Sequence, residues 1–328
     1  MKFFLLLYHC VVNLRNKFYH LNILKTYRVD HAFVISVGNI TFGGTGKTPI
    51  VIALAEKCLA KGKTVAVVSR GYKRKSKAEI IVEPHADNFI VEEIGDEPFM
   101  IKKRLPEIYL AVGADRKSII KKLPQVDYII LDDGFQKLQI KRDLNILLID
   151  ATKPFGNGLL RESFKNIQRA DLIILTKANF LQDVKQLNNI EQEIRQYTST
   201  KIIKSEYLPL KNSLPALPKT EKISLLTAVA NPQGFEYIVK SLGYEIKDRY
   251  FFRDHHWFTD KDLAPIKGMV FTTEKDSTKL AKYLTGRGDV NLTKGKDGYK
   301  QQKQALHSSI KHENLYVLKM EAICNIDI

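Results

Sequence analysis

Cysteine and long uninterrupted apolar runs are scarce in this sequence of 328 residues. The 3 cysteines, Cys10, Cys58 and Cys324, lie far apart and lack Cys-x-x-Cys spacing. This excludes a disulfide scaffold and a cysteine-based zinc site, and it suits a reducing compartment. The apolar run at residues 1–12 is too short to span a bilayer, which takes about 20 residues. No internal repeat or low-complexity tract is visible.

Acidic residues are in the minority. There are 36 Asp and Glu against 52 Lys and Arg, which gives a net charge of +16. A balance this basic indicates an anionic partner: a nucleic acid, an acidic membrane surface or a phosphorylated substrate. The content of 44% apolar and 27% charged residues is ordinary for a globular protein, and the length suggests about two domains.

The amino-terminal segment, residues 1–30, has the pattern of a basic amphipathic helix. Phe18, Leu21 and Leu24 are spaced as on one helix face, and the segment carries 5 Lys or Arg and one acid. A signal peptide is disfavoured because no small-residue cleavage site follows the apolar run. The pattern predicts a helix that lies on an anionic membrane leaflet. A helix docked on the protein's own core is the alternative.

Short apolar runs alternate with helical patterns along the rest of the chain, which predicts an α/β fold with a parallel sheet covered by helices on both faces. We assign residues 31–210 to a core domain and residues 211–328 to a smaller α/β domain with a basic insertion at 282–313. The predicted strands are residues 33–40, 64–70, 108–113, 126–133, 144–150, 171–177, 222–230, 244–252, 269–276 and 315–322.

A glycine-rich turn between the first strand and the following helix has the composition of a phosphate-binding loop (P-loop). Glycines let backbone N–H groups converge on phosphate oxygens, and the start of the helix adds its positive dipole end. In such a loop the lysine reaches the β- and γ-phosphates and the last hydroxyl holds Mg²⁺. One departure is Thr41, where the strict pattern has glycine. The loop consists of Gly43, Gly44, Thr45, Gly46, Lys47 and Thr48.

Two adjacent acids, Asp132 and Asp133, follow the apolar strand at residues 126–133 in the sequence DDGFQ. Acids at a strand end, in a sheet that carries a phosphate loop, are typical Mg²⁺ ligands. Adjacent side chains of a strand point to opposite sides, so we expect the two carboxylates to have different roles.

Beyond the phosphate loop and the paired acids, a set of short motifs occurs in order along roughly residues 30–280: ISVGNITFGGTGKTP, SRGYKRK, GDEPFMI, VGADR, ILDDGFQ, RDLNILLID, FGNG, LRE, RADLIILTK, ANPQGF, RDHHWFTD and TTEKD. With these motifs the chain resembles the tetraacyldisaccharide 4'-kinase family, the lipid A 4'-kinases of Gram-negative bacteria. The resemblance implies a P-loop kinase core, a smaller domain joined by a β-ribbon, and ATP-dependent phosphorylation of the 4'-hydroxyl of a tetraacylated glucosamine disaccharide 1-phosphate.

The resemblance also implies roles for individual residues. Asp96 is the expected general base for the sugar hydroxyl, and His255, rather than His256, is its expected partner. Besides Thr48, Asp133 and Gln136 are the expected Mg²⁺ ligands. The expected contacts to substrate or phosphate, where a guanidinium fork suits phosphate, are Asp132, Arg116, Arg161 and Glu162.

These assignments imply ATP and Mg²⁺ as cofactors, an anionic glycolipid as substrate, and a peripheral or monotopic position on the cytoplasmic face of the bacterial inner membrane. No nucleic acid and no obligate protein partner are expected. The chain departs from the family where LLRE follows FGNG directly and where Lys137 replaces the usual histidine after DDGFQ. The insertion at 282–313, with a net charge of +4, has no counterpart that we can match.

Two other classes remain open at this stage. A P-loop GTPase-like metallochaperone or a dethiobiotin-synthetase-like ligase would share the phosphate loop, and LTKAN at 175–179 is a weak mimic of a guanine-binding motif. A basic nucleic-acid-binding protein would instead need a basic stripe interleaved with aromatic residues. Here the Lys and Arg residues are dispersed, and no RNP or zinc motif occurs.

Overall fold

The computed structural model describes residues 2–153, 155, 160–181, 183–214, 217–284, 292–295, 298–301 and 314–326. The chain forms two compact units, the first comprising Met1–Leu208 and Glu321–Ile328 and the second Pro209–Met320. Within the described residues, the helices of the first unit are α1 (Lys2–His20), α2 (Lys47–Ala60), α3 (Val91–Ile94), α4 (Asp96–Arg104), α5 (Arg116–Ile120) and α6 (Val184–Arg195). The first nine strands are β1 (Phe33–Gly38), β2 (Val65–Ser69), β3 (Ile80–Val82), β4 (Tyr109–Val112), β5 (Tyr128–Asp132), β6 (Leu144–Asp150), β7 (Leu172–Thr176), β8 (Lys201–Lys204) and β9 (Glu206–Pro209).

The first unit is built on an eight-stranded sheet in the order β3-β4-β2-β5-β1-β6-β7-β8, in which β3 alone runs antiparallel to its neighbour. Along β1, Ile35 and Val37 belong to a core cluster that includes residues of α2 and α4, whereas Val34 belongs to a cluster that includes residues of α5. Successive side chains of the strand thus face two different helical layers. The predicted α/β sheet with both faces covered is confirmed.

The strand order decides where chemistry can take place. Strand β1 lies between β5 and β6, and β7 lies beyond β6. All four strands are parallel, so their carboxyl ends meet at one edge of the sheet. The glycine-rich loop leaves that edge after β1, and DDGFQ leaves it after β5. Ligands of open α/β sheets bind beyond the carboxyl ends of the strands, so this edge is the candidate site.

Helix α1 has one contact face on the first unit and a set of exposed apolar side chains. Val12 is buried, the Arg15 guanidinium donates to the Gln136 carbonyl at 3.3 Å, and the Asn16 amide donates to Glu162 Oε2 at 3.0 Å. None of the described helices is long and apolar enough to cross a membrane. Apolar residues exposed on and just after α1 are Tyr8, Val11, Leu14, Phe18, Leu21, Ile23 and Leu24.

The second unit contains a four-stranded parallel sheet in the order β11-β10-β12-β15. Its core includes Leu225, Leu226 and Phe271, all completely buried. Most of the predicted insertion at 282–313 lies outside the described residues, apart from the end of α9 and one antiparallel hairpin, β13–β14. The described elements from residue 210 onward are β10 (Lys222–Thr227), α7 (Pro232–Ser241), β11 (Glu245–Phe251), α8 (Asp260–Leu263), β12 (Val270–Thr273), α9 (Glu274–Leu284), β13 (Leu292–Gly295), β14 (Gly298–Gln301), β15 (Leu315–Leu318) and β16 (Met320–Ile323).

The unit boundary differs from the predicted one at the carboxyl terminus. The sequence predicts a second domain of residues 211–328, but the chain returns to the first unit at Glu321. Cys324 and Ile326 are buried in the main core cluster, and the Lys57 ammonium donates to both of their carbonyls at 3.0 Å. Strand β16 pairs with β9 in a separate two-stranded sheet.

Candidate nucleotide site

The glycine-rich loop has the backbone of a phosphate cradle. Gly43 has φ 101° and Gly46 has φ 76°, values in the left-handed region that glycine adopts without a Cβ clash. Helix α2 begins at Lys47, and no side chain in the described part of the chain caps its amino terminus. The unpaired N–H groups and the helix dipole at such a terminus favour an anion. The predicted phosphate loop therefore has the local structure that this chemistry requires.

The loop is held to the sheet by two buried side chains. Asn39 donates to Thr45 Oγ1 at 2.9 Å, and Thr176 Oγ1, at the end of β7, donates to the Thr45 carbonyl at 2.9 Å. Because Thr45 is completely buried, both bonds are shielded from water. The loop is thus fixed from the side that faces the core.

Asp133 lies directly opposite the loop lysine. Its Oδ1 is 3.5 Å from Lys47 Nζ, and Arg161 Nη1 lies 2.8 Å from both carboxylate oxygens. Burial alone would raise the pKa of Asp133, but the charges of Lys47 and Arg161 outweigh it and lower the pKa to about 2. Asp133 is therefore a carboxylate whose charge is already matched by two cations.

Asp132 has the opposite environment. It is 3% exposed, Ser69 Oγ donates to its Oδ2 at 2.9 Å, and its Oδ1 is a buried oxygen without a hydrogen-bond partner among the described residues. Burial, followed by the charges of Glu97 and Asp133, raises the pKa of Asp132 to about 6. The two adjacent carboxylates therefore have different environments, and Asp132 is the one that makes no ion pair among the described residues. That they also have different roles stays a prediction.

Two residues near this edge were missed by the sequence analysis. Glu97 acts on Asp132 through its charge, and its position beside Asp96 in the GDEP turn was the available signal. Lys153 has its ammonium 3.5 Å from the point where a Cβ on Gly43 would lie, which places a further cation next to the loop.

Arg116, expected to contact the substrate, is instead buried within the protein. It is 1% exposed, and its Nη1 donates to the backbone carbonyl of Asp133 at 2.8 Å. Burial lowers its pKa, opposed by the charges of Asp133 and Asp132. Arg116 therefore shapes the turn that carries the two acids. Gln136, expected to be a metal ligand, donates its amide to the Asn39 carbonyl at 2.8 Å and so ties this turn to the strand end before the loop.

Glu162 also differs from the expectation. It is completely buried, and its Oε2 accepts hydrogen bonds from Asn16 of α1 at 3.0 Å and from Arg169 at 2.7 Å. A side chain so enclosed holds α1 against the unit and has no surface to offer a substrate. Arg161, its neighbour, does reach the site through Asp133.

Asp96 is the first residue of α4 and follows Gly95, which has φ 96°. It is 5% exposed, and its Oδ1 accepts a hydrogen bond from the Glu97 N–H at 2.9 Å. A carboxylate in the first turn of a helix is stabilised in its charged form by the helix dipole.

The two histidines of the second unit have distinct surroundings. His256 stacks on Phe252 with the rings 4.8 Å apart and bonds Asp262 at 2.9 Å, so its contacts are structural. The side chain of His255 is 8% exposed, with Nε2 3.2 Å from Lys275 Nζ. His255 has φ 64°, an unusual backbone conformation for a residue with a side chain. The preference for His255 over His256 as the active histidine stays a prediction.

The structure does not support LTKAN at 175–179 as a guanine-binding motif. Asn179, which occupies the position of the base-recognising acid in LTKAN, donates to the Tyr207 carbonyl at 3.1 Å and accepts from the Tyr207 N–H at 2.8 Å. Both polar atoms of its amide are therefore bound to the protein backbone.

Together, the parallel sheet, the loop before α2 and the acids after β5 define a P-loop nucleotide-binding protein. The family model described as tetraacyldisaccharide-1-P 4'-kinase (LpxK) matches residues 1–313, and the chain belongs to that family.

Among similar proteins, a tetraacyldisaccharide 4'-kinase from Halothermothrix orenii is 34% identical, with 84% of this chain and 81% of the relative covered. One from Aquifex aeolicus is 35% identical, with coverage of 84% and 88%. A crystal structure of LpxK from Aquifex aeolicus in complex with ATP superposes with a TM-score of 0.68 at 29% identity, covering 98% of this chain and 93% of that one.

Proposed function

We propose that this protein is an ATP-dependent kinase that transfers the γ-phosphate to the 4'-hydroxyl of tetraacyldisaccharide 1-phosphate, the step that completes the lipid A precursor lipid IVA. The observation that carries the proposal is the meeting of Lys47 and Asp133, 3.5 Å apart, where the phosphate loop and the DDGFQ turn leave adjacent strands. Membership of the 4'-kinase family supports the choice of acceptor.

Phosphoryl transfer needs little covalent help from a protein, so positioning and charge neutralisation do most of the work. The N–H groups of the loop and of the α2 terminus bind phosphate oxygens. Lys47 exchanges its contact with Asp133 for the β- and γ-phosphates when the nucleotide enters. Arg161, which already binds Asp133, keeps that contact and neutralises the charge of the carboxylate.

The residues present fit an Mg²⁺ ion. No group of three or more His, Cys, Asp or Glu side chains in the described part of the chain is arranged to hold a metal alone. Mg²⁺ does not need one, because it is usually bound by one or two carboxylates together with phosphates and waters. The unpartnered Oδ1 of Asp132 and the Thr48 hydroxyl are the donors that fit best, and Asp133 is the less suited of the two acids because Lys47 and Arg161 already bind it. When bound, the ion neutralises charge on the transferring phosphoryl group.

Asp96 is the general base in this proposal. Its carboxylate accepts the proton of the sugar hydroxyl as that oxygen attacks the γ-phosphorus. Its place in the first turn of α4 puts it at the positive end of the helix dipole, which favours the charged carboxylate that a general base needs. The pairing of Asp96 with His255 stays a prediction.

The exposed apolar side chains of α1 support a peripheral position on the cytoplasmic face of the inner membrane. Val11 is 61% exposed and Leu14 is 53% exposed, which is unfavourable in water and favourable in the acyl-chain region. The charge of +16 favours an anionic leaflet and an anionic glycolipid.

Radiolabelled ATP and tetraacyldisaccharide 1-phosphate in mixed micelles, separated by thin-layer chromatography, test this proposal. We expect label transfer to the lipid, loss of transfer in Lys47→Ala, and normal transfer in Lys63→Ala, an exposed lysine beyond the far end of α2. No labelled lipid with the parent protein, or transfer from GTP in preference to ATP, would contradict the proposed function.

A further inference from the structure

Lys177 is a buried lysine that touches the phosphate loop from behind. It follows β7, has φ 59° and is 8% exposed. Its ammonium lies 2.7 Å from Asp150 Oδ2 and 3.2 Å from the carbonyl oxygen of Gly44. Nothing in the reaction described above uses this lysine. Burying an ammonium costs free energy, so its contacts call for an explanation.

The partner carboxylate is itself held in place. Asp150, at the end of β6, accepts two hydrogen bonds on its other oxygen, Oδ1, from the Thr152 N–H at 3.1 Å and the Thr152 hydroxyl at 2.7 Å. The carboxylate therefore presents Oδ2 to Lys177 in one orientation, and Lys177 in turn presents a donor to Gly44.

A second contact from the same strand end acts on the next peptide. Thr176 Oγ1 donates to the Thr45 carbonyl at 2.9 Å. Two consecutive carbonyls of the loop, those of Gly44 and Thr45, are thus bound by two consecutive residues of the chain, Lys177 and Thr176.

The geometry of the peptide bond fixes the direction of the backbone N–H groups that follow these two carbonyls. In a trans peptide the C=O and the following N–H point in opposite directions, and no cis peptide occurs in the described residues. Fixing the Gly44 carbonyl toward Lys177 therefore turns the Thr45 N–H away from it. Fixing the Thr45 carbonyl toward Thr176 turns the Gly46 N–H away in the same manner. The N–H groups of Thr45 and Gly46 therefore point to the side of the loop opposite Lys177 and Thr176, and donors on one side of a loop are what a phosphate chain needs.

We infer that Lys177, held by Asp150, and Thr176 are positioning residues that orient the peptides of the phosphate loop for triphosphate binding. The inference rests on the proposed use of ATP at this loop, and it adds residues at the carboxyl ends of β6 and β7 that act through the carbonyls of the loop. Preorganised donors bind an anion without the cost of reorienting peptides at the moment of binding.

Variants that remove one partner of a buried ion pair can fail for a structural reason alone, since the other charge is left unpaired. The test therefore uses Lys177→Met, Lys177→Met combined with Asp150→Asn, Thr176→Val and Thr176→Ser. The double variant leaves no unpaired charge, and Thr176→Ser keeps the hydroxyl that Thr176→Val lacks. A thermal melt of each variant monitors folding.

The measurement is equilibrium binding of ATP and of inorganic tripolyphosphate to the full chain. We expect the double variant and Thr176→Val to lose affinity on the order of tenfold for both ligands, because both bind the same cradle. Thr176→Ser should retain the parent's affinity. In the lipid-phosphorylation assay, the double variant and Thr176→Val should show a raised KM for ATP with a smaller change in kcat.

Unchanged tripolyphosphate affinity in folded Lys177→Met and in the double variant would overturn the inference. So would a loss for ATP alone, since that would place Lys177 against the nucleoside. Absence of tripolyphosphate binding to the parent protein would overturn the phosphate-loop assignment and the inference together. Lipid phosphorylation does not enter the two binding measurements, so failure to find the proposed acceptor would be seen separately, in the kinetic assay alone.

Discussion

Substitution of Asp132 tests the electrostatics of the site most directly. Burial, and then the charges of Glu97 and Asp133, raise its pKa from 3.8 to about 6. The folded protein therefore holds this proton more tightly than the unfolded chain does. Folding becomes less favourable as the pH rises from about 4 to about 6, and the penalty is complete above that range and absent below it.

The size of the penalty follows from the two pKa values. They differ by about 2 pH units, and at about 1.4 kcal/mol for each unit the penalty is about 3 kcal/mol at pH 8 and about half of that at pH 5. Asp132→Asn removes the charge and keeps an oxygen that can accept the hydrogen bond of Ser69. For a unit of this size, each 1 kcal/mol changes Tm by about 2–4 °C, so we expect Asp132→Asn to melt about 6–12 °C above the parent at pH 8.

Differential scanning calorimetry in EDTA at pH 8 and pH 5 measures this effect. Asp133→Asn is the matched control with the opposite sign. The pKa of Asp133 is lowered to about 2, so its stabilising contribution is present above about pH 4 and is lost only as the pH falls through about 2. Since a third of its side chain is exposed, we expect Asp133→Asn to lose only about 1–2 kcal/mol at both pH values.

Two results would refute this reasoning: an Asp132→Asn protein no more stable than the parent at pH 8, or an equal gain at pH 5 and pH 8. We expect the stabilised variant to be inactive with Mg²⁺–ATP. A buried charge that costs stability is typical of a group retained for its chemistry.

Three further variants probe the proposed roles. Lys47→Ala should lower kcat/KM for ATP by at least about 100-fold, measured by label transfer to the lipid. Activity close to that of the parent would contradict the role of Lys47 in binding the phosphates. Asp96→Asn should lower kcat with little change in nucleotide affinity, because the general base acts on the acceptor; an equal loss of ATP binding would contradict this. Val11→Glu combined with Leu14→Glu should weaken sedimentation with anionic vesicles while leaving ATP binding unchanged, and undiminished sedimentation would exclude α1 as the membrane contact.

Local sequence determined much of this protein. The short apolar runs became β1, β2 and β4 to β7, because a strand buried on both faces needs an apolar side chain at nearly every position. The short strands β3, β8 and β9 were missed, since none of the three runs is long or apolar enough to stand out. Gly43 and Gly46 allow the left-handed backbone of the phosphate loop because glycine has no Cβ, a property of the residues themselves.

Tertiary structure decided the rest. Neither spacing nor composition indicates that Asp132 and Asp133, adjacent in sequence, have pKa values of about 6 and about 2, because burial and the charges of Glu97, Lys47 and Arg161 come from other segments.

The same holds for Glu162, which the sequence suggested as a substrate contact and which the fold encloses between α1 and Arg169. Lys177 reaches Gly44 because β7 lies two strands from β1 in the sheet, on the far side of β6. The order of strands therefore determines which side chains support the loop. A short segment can encode a binding loop by itself. The electrostatic field at that loop is the sum of charges from many segments, which only the packed sheet brings together.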